Sequence, residues 1–164
     1  MPDIRSITTV DPLYALECEL RERVLLRPIG YTLERYVAEY PEVEKAASHY
    51  VAMAQTPGGP RVFGCGLLIV EPQRRGRVVQ VAVDPQRQSE GLGRAIMTTI
   101  EGDAFGTLGL SELYCHAQVT AIGFYDRLGW QTCSEDFLEA GIVHRGMKLT
   151  APERPITQPP VPGW

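Results

Sequence analysis

The sequence predicts an α/β (α+β) domain, and two observations carry that reading. Apolar runs rich in Val and Ile, at His49 to Ala54, Val62 to Val70 and Val78 to Val83, are separated by turn-forming clusters, as joined strands are. From Val78 onward such runs alternate with segments whose apolar residues recur at helical spacing, so strands and helices succeed one another.

Taken in order, Ile4 to Thr8 reads as a short opening strand. Asp11 caps a helix with Pro12 at its first position, where the missing proline N–H costs nothing. Leu13, Leu16, Leu20 and Val24 share one face of it, and Arg27-Pro28-Ile29-Gly30 ends it. Tyr31 to Ala47 reads as a helix or an irregular arm in which Glu34, Glu39, Glu42 and Glu44 lie among tyrosines. Two strands follow, joined across Pro57-Gly58-Gly59-Pro60, and a turn at Arg75-Gly76 leads to the Val78 to Val83 strand. Leu92, Ala95, Ile96, Thr99 and Ile100 give a helix opened at Gly91 and running to about Ala104, with Gly106 and Gly109 in the loop after it. Leu113 to His116 is the next strand, and Ala121, Phe124, Tyr125 and Leu128 are the inner face of the next helix. Trp130 to Cys133 and Val143 to Leu149 should pair as the last strands.

Residues 1–150 therefore read as one domain, and 151–164 as a Pro-rich tail carrying Pro152, Pro155, Pro159, Pro160 and Pro162, expected to be extended and mobile. At 164 residues the chain is long enough to stand on its core alone, since a domain of this size buries roughly 68–70% of its unfolded surface. Cys18, Cys65, Cys115 and Cys133 form no Cys-x-x-Cys pair and read as small buried hydrophobes in a reducing cytosol. Sixteen basic against 20 acidic residues, formal net charge −4, argue against a nucleic-acid partner. Arg74-Arg75-Gly76-Arg77 is the one dense basic run and reads as a solvated turn. No stretch approaches the ~20 apolar residues of a membrane helix, and the N-terminus lacks a signal-peptide core, so a cytoplasmic protein is expected. The dispersed histidines suggest no metal site.

The strand Val78 to Val83 runs through Asp84-Pro85-Gln86-Arg87-Gln88-Ser89-Glu90-Gly91-Leu92-Gly93-Arg94 into a helix, which aims unpaired N–H groups at an anion. A Walker loop is excluded, because Arg94-Ala95 follows Gly93 where Lys-Ser/Thr is needed. A dinucleotide fingerprint is excluded by Ile96, three residues after the second glycine. The pattern Gln88-Ser89-Glu90-Gly91-Leu92-Gly93 resembles the Gln/Arg-x-x-Gly-x-Gly/Ala loop of the GNAT superfamily of N-acetyltransferases. Leu113 to Gln118, then Ala121 to Trp130 with its Phe-Tyr-x-x-x-Gly-aromatic ending, resembles that superfamily's fifth strand and following helix. Phe137 to His144 with Met147 resembles a subgroup of small bacterial members.

The resemblance implies a mixed, mostly antiparallel six- to seven-stranded sheet with a splayed parallel central pair and about four helices. It implies acetyl-CoA as cosubstrate, with pantetheine along Val81, Ala82 and Val83 and the pyrophosphate on the amides of Gln88, Ser89, Glu90, Gly91, Leu92, Gly93 and Arg94. Glu90 must then point away from the phosphates, with Arg87 and Arg94 offsetting it. Tyr125 stands where the family places a proton donor to the departing thiolate, and Gln118 where many relatives have a carrier-binding Asn. For the base, His116 comes first, at the end of a splayed strand, with Glu139 and His144 behind it and a water relay as an equal alternative. The implied reaction is acetyl transfer from acetyl-CoA to a primary amine of a small molecule or peptide; an acyl-CoA-binding module without turnover is the alternative. The acceptor and the oligomeric state, a homodimer included, stay open in the sequence.

Overall fold

A computed structural model describes residues 2–152. The expectation of a mobile tail falls on 153–164 and lies outside the described residues.

Seven strands form one sheet in the order β1-β2-β3-β4-β5-β7-β6. They are β1 (Asp3–Ile7), β2 (Ser48–Thr56), β3 (Gly59–Glu71), β4 (Arg75–Val83), β5 (Glu112–Gln118), β6 (Gln131–Glu139) and β7 (Ile142–Thr150). Every neighbouring pair is antiparallel except β4–β5, which is parallel. Five α-helices accompany the sheet: α1 (Leu13–Arg21), α2 (Leu33–Glu39), α3 (Pro41–Ala46), α4 (Leu92–Gly102) and α5 (Ile122–Arg127). The Leu13 N–H donates to Asp11 Oδ1 at 2.8 Å, which is the expected cap. The first helix continues through a π turn, Glu22–Leu26, to a left-handed Gly30 at φ 78°.

Four elements depart from the sequence reading, the first being the helix after Gly91, which a π turn, Asp103–Thr107, carries through Gly106 before the loop begins. The Tyr31–Ala47 arm is two helices because Pro41 forces Tyr40 out of the helical region, to φ −129° and ψ 59°. The β3–β4 turn lies at Gln73 and Arg74, both left-handed, two residues before the expected one. Gly76 sits inside β4 instead, where a Cβ would lie 2.7 Å from Leu113, 2.9 Å from Leu110 and 2.9 Å from Leu68. Finally, β6 extends to Glu139; its polar Ser134, Glu135 and Asp136 conceal an edge strand that breaks register against β7 between Thr132 and Asp136.

Two apolar layers cover the sheet. Ile96, Met97 and Ile100 of α4 are fully buried against Leu68, Val78, Leu113 and Met147, and burial of each such side chain contributes about 1.5–3 kcal/mol. On the opposite face Leu13 and Leu20 of α1 pack on Val51, Cys65 and Ala82. Of the four cysteines expected to be buried, Cys65 and Cys115 are, whereas Cys18 is half-buried and Cys133, on the edge strand β6, is exposed.

Candidate active site

The site begins where the parallel pair comes apart. β4 and β5 are in register at Arg75 with Glu112, Gly76 with Leu113 and Arg77 with Tyr114; beyond Tyr114, β5 remains paired with β7 as far as Gln118. The later residues of β4 therefore turn one backbone edge away from any strand on that side. β4 is also bulged: its register with β3 steps from Cys65–Ala82 to Leu67–Val79, three residues against two, and Gln80 takes φ 53°. Val78, Val81 and Val83 consequently all face the α4 layer, although Val78 and Val81 would face opposite ways in a regular strand. Arg21 Nε holds the bulge by donating to Gln80 Oε1 at 3.2 Å.

This opening widens into a cavity of about 630 Å³. One side is Val24, Leu25, Leu26 and Ile29 with Tyr31, Tyr36, Tyr40 and Val43 of the arm; another is Arg77 to Val83 of β4. Cys115 to Gln118, Tyr125, and Glu139 with His144 close the remainder.

The loop after β4 is built by Asp84, whose Oδ1 accepts the Gln86 N–H at 3.0 Å. Burial opposes its ionisation, but that bond and Arg23, at 3.3 Å, outweigh it and hold the carboxyl below its usual range. Ser89 at φ 73° and Gly91 at φ 80° turn the chain into α4, whose start carries no side-chain cap. Its first amides are thus available to an outside anion. Glu90 pairs with Arg87 at 3.3 Å. The Leu92 side chain is buried in the core, and Gly93 brings α4 against Phe124, 3.3 Å from where a Cβ would stand. Gln88 lines the cavity; Ser89, Glu90, Gly91, Leu92, Gly93 and Arg94 do not.

Tyr125 is 6% exposed, with ring centroids 5.1 Å from Phe124 and 5.3 Å from Trp130. Its hydroxyl lies beside the Cys115 thiol. Burial first, and Cys115 second, push the phenol well above its ordinary value of 10.0. Burial pushes the Cys115 thiol up to about 12 against the pull of the Tyr125 hydroxyl. Both groups hold their protons at neutral pH.

His116 reaches the cavity from β5, its Nδ1 3.0 Å from Glu139 Oε1 and 3.5 Å from Arg77 Nη2. His144 Nδ1 donates to the Ile142 carbonyl at 2.8 Å, and its Nε2 lies 3.7 Å from Glu139 Oε2. The sequence-predicted groups Val81, Val83, Gln88, His116, Gln118, Tyr125, Glu139 and His144 thus share one cavity. Ala82 also borders it, although its side chain packs toward α1. Among the described residues no group of three or more His, Cys, Asp or Glu could hold a metal ion.

Sequence reasoning missed Gln80 and Arg77. A lone Gln in an apolar strand was the available signal for the bulge. Arg77 was read with the solvated basic run, whereas its guanidinium lies beside His116 in the cavity. The arm's carboxylates do not line the cavity. Glu44 turns inward to Arg21, Glu39 bonds Arg35 and Tyr31, and Glu34 and Glu42 are exposed.

The family described as "Acetyltransferase (GNAT) domain" matches residues 34–151. The chain therefore belongs to the GNAT family of acyl-CoA N-acyltransferases. A Bacillus subtilis relative is 26% identical over 144 residues, 87% of this chain and 92% of the relative. A UPF0039 protein of Schizosaccharomyces pombe is 29% identical over 132 residues, 80% of this chain and 87% of that one. Among solved structures, an aminoglycoside 6'-N-acetyltransferase complexed with coenzyme A has a TM-score of 0.75 at 14% identity, over 93% of this chain and 99% of that one, a likeness of fold. Among the described residues no helix is long and apolar enough to cross a membrane.

Proposed function

We propose that this chain transfers an acetyl group from acetyl-CoA to a primary amine by direct attack in a ternary complex. The observation that carries the reading is the meeting, in one cavity, of the unpaired β4 edge and the Tyr125 side chain, with the uncapped start of α4 next along the chain from β4. Pantetheine would lie along Val81, Ala82 and Val83 as an added strand, which demands only backbone groups. The pyrophosphate would rest on the amides from Gln88 to Arg94, with Glu90 drawn aside by Arg87. Gln118 stands at the exposed end of β5, where its amide would meet the carrier.

In the reaction the amine lone pair attacks the thioester carbonyl carbon. The N–C bond forms, the C–S bond breaks, and the sulfur leaves as a thiolate. Tyr125 gives that thiolate its proton, and the phenolate is neutralised again from solvent or through Cys115. His116, oriented by Glu139, takes the proton lost by the amine.

The test is thiol release from acetyl-CoA in the presence of pooled amines, beside a calorimetric titration of coenzyme A. Release that requires both an amine and the intact Tyr125 hydroxyl is expected. Tight coenzyme A binding with no release from any amine would make the chain a carrier-binding module instead.

A further inference from the structure

Arg77 carries a charge that the surrounding fold leaves unanswered. It is the last β4 residue in register with β5. It precedes the core residue Val78, so its side chain leaves the opposite face of the sheet from α4. Its Nε is buried and finds no hydrogen-bond partner among the described residues, and its Nη2 approaches an imidazole nitrogen, His116 Nδ1, at 3.5 Å. No carboxylate among the described residues lies within ion-pair distance of it. Arg75, whose Nε is likewise buried without a hydrogen-bond partner, has Glu112 at 3.7 Å, and the fully buried Arg21 is held by both Glu17 and Glu44. Arg77 is half-buried, so water reaches part of the group, but a cation whose Nε is shut off from water with no counter-charge beside it gains from an anion brought to it.

The rest of the cavity narrows what that is. Glu139 is the one carboxylate among the described lining residues, and it already bonds His116. The arm contributes Tyr36, Tyr40 and Val43, and the end of the first helical segment Leu25 and Ile29. A polycationic acceptor needs several carboxylates, and those of the arm are engaged elsewhere or exposed. The cavity instead offers one cation for an anionic group, an adjacent basic nitrogen backed by a carboxylate, and an apolar wall.

Building on the transferase reading, we propose that the acceptor is an α-amino acid with an apolar or aromatic side chain, its carboxylate bound by Arg77. Ammonium and carboxylate of an α-amino acid hang from one carbon, which matches the adjacency of His116 and Arg77. The planar guanidinium takes the carboxylate through paired N–H donors. The amine then faces His116 and Glu139, and the side chain lies along Leu25, Ile29, Tyr36 and Tyr40.

Wild-type protein is assayed with acetyl-CoA and L-phenylalanine, L-leucine, L-phenylalaninamide, phenethylamine, spermidine or kanamycin. The acids are expected to exceed the amide and phenethylamine in kcat/KM by about 10–100-fold. The amide's amine is the more readily deprotonated, so this preference would run against intrinsic reactivity. Arg77→Gln is expected to raise KM for L-phenylalanine by about the same factor and to erase its advantage over the amide. Equal rates for acid and amide, preference for spermidine or kanamycin, or equal losses on both substrates in Arg77→Gln would overturn the proposal. A separate titration of L-phenylalanine onto the coenzyme A-bound protein distinguishes this failure from that of the transferase reading. Binding that is lost in Arg77→Gln supports the carboxylate site even if no turnover is seen, and no binding to wild type overturns it.

Discussion

Replacing Tyr125 by Phe removes one oxygen and leaves the ring where Phe124 and Trp130 hold it. The structural cost is at most one hydrogen bond, toward the neighbouring Cys115 thiol, about 0.5–1.5 kcal/mol. For a domain of this size that lowers Tm by no more than about 6 °C. The chemical cost is larger, because loss of a general acid slows a reaction about 10²–10⁴-fold, equivalent to about 2.7–5.4 kcal/mol of barrier. Because burial and Cys115 raise the phenol above 10.0, the acid stays protonated across the assay range. The variant's deficit in kcat is therefore expected to be constant between about pH 6 and pH 10. The assay is thiol release at saturating acetyl-CoA with an identified amine, with a coenzyme A titration and a melting curve in parallel. Coenzyme A affinity within about twofold of wild type, beside a kcat lowered at least about 100-fold, is the expected result. Full turnover would return Tyr125 to the part of a core aromatic and hand the proton to water. A parallel loss of affinity would show that the hydroxyl shapes the cavity instead.

Gly93→Asp is expected to abolish coenzyme A binding in calorimetry on folded protein, since it adds a negative charge to the first turn of α4 and presses on Phe124. Gly93→Ala, with the same crowding but no charge, should lose far less; equal losses would make the effect steric. His116→Ala should lower kcat about 100-fold without changing coenzyme A affinity, and a change below about twofold would assign the proton to a water relay. Burial opposes protonation of His49, but Glu17 at 2.9 Å outweighs it and raises His49 above its ordinary 6.5, so its contribution to stability is full below that value and fades as pH rises through the raised one. The Tm gap between wild type and His49→Gln should accordingly be wider near about pH 5.5 than near about pH 9, and equal gaps would refute the ion pair.

What could be read from sequence followed from how local the physics was. The glycine turn, the start of the helix after it and the apolar strands depend on neighbours within a few residues, and they stand where expected; only the helix's end differs, carried through Gly106 by a π turn. The arm was ambiguous because its acids and tyrosines suit a solvated helix as well as a buried one. Its division at Tyr40 was nevertheless written in Pro41. The reach of β6 was hidden because an edge strand faces solvent and needs no apolar alternation. Arg77 was misplaced for a long-range reason. The turn was assigned to Gly76, but that glycine answers to Leu110 and Leu113, more than thirty positions later, and the real turn uses Gln73 and Arg74. Two residues of register decide whether Arg77 belongs to a solvated loop or to the cavity.

The buried charges behind β4 explain how a strained strand and a short two-helix arm can flank the same cavity. A left-handed non-glycine residue costs about 1–2 kcal/mol, and Gln80 occupies that conformation in the wall of the site. Arg21 Nε bonds the Gln80 side chain while its terminal nitrogens hold Glu17 and Glu44. Glu44 belongs to α3, so one guanidinium fixes both the bulge and the arm. Tyr14 donates to Glu44 at 2.6 Å, and His49 bonds Glu17. Burial opposes ionisation of Glu44, yet Arg21 and Tyr14 outweigh it and hold its carboxyl below the ordinary 4.5. When His49 is protonated, two cations face two anions, so the group is then neutral as a whole and can be buried without a stranded charge. Hydrophobic packing alone would let the arm slide, since apolar contacts are non-directional. Hydrogen bonds from a planar guanidinium allow one geometry, and they set the distance between the tyrosine wall and the open edge of β4.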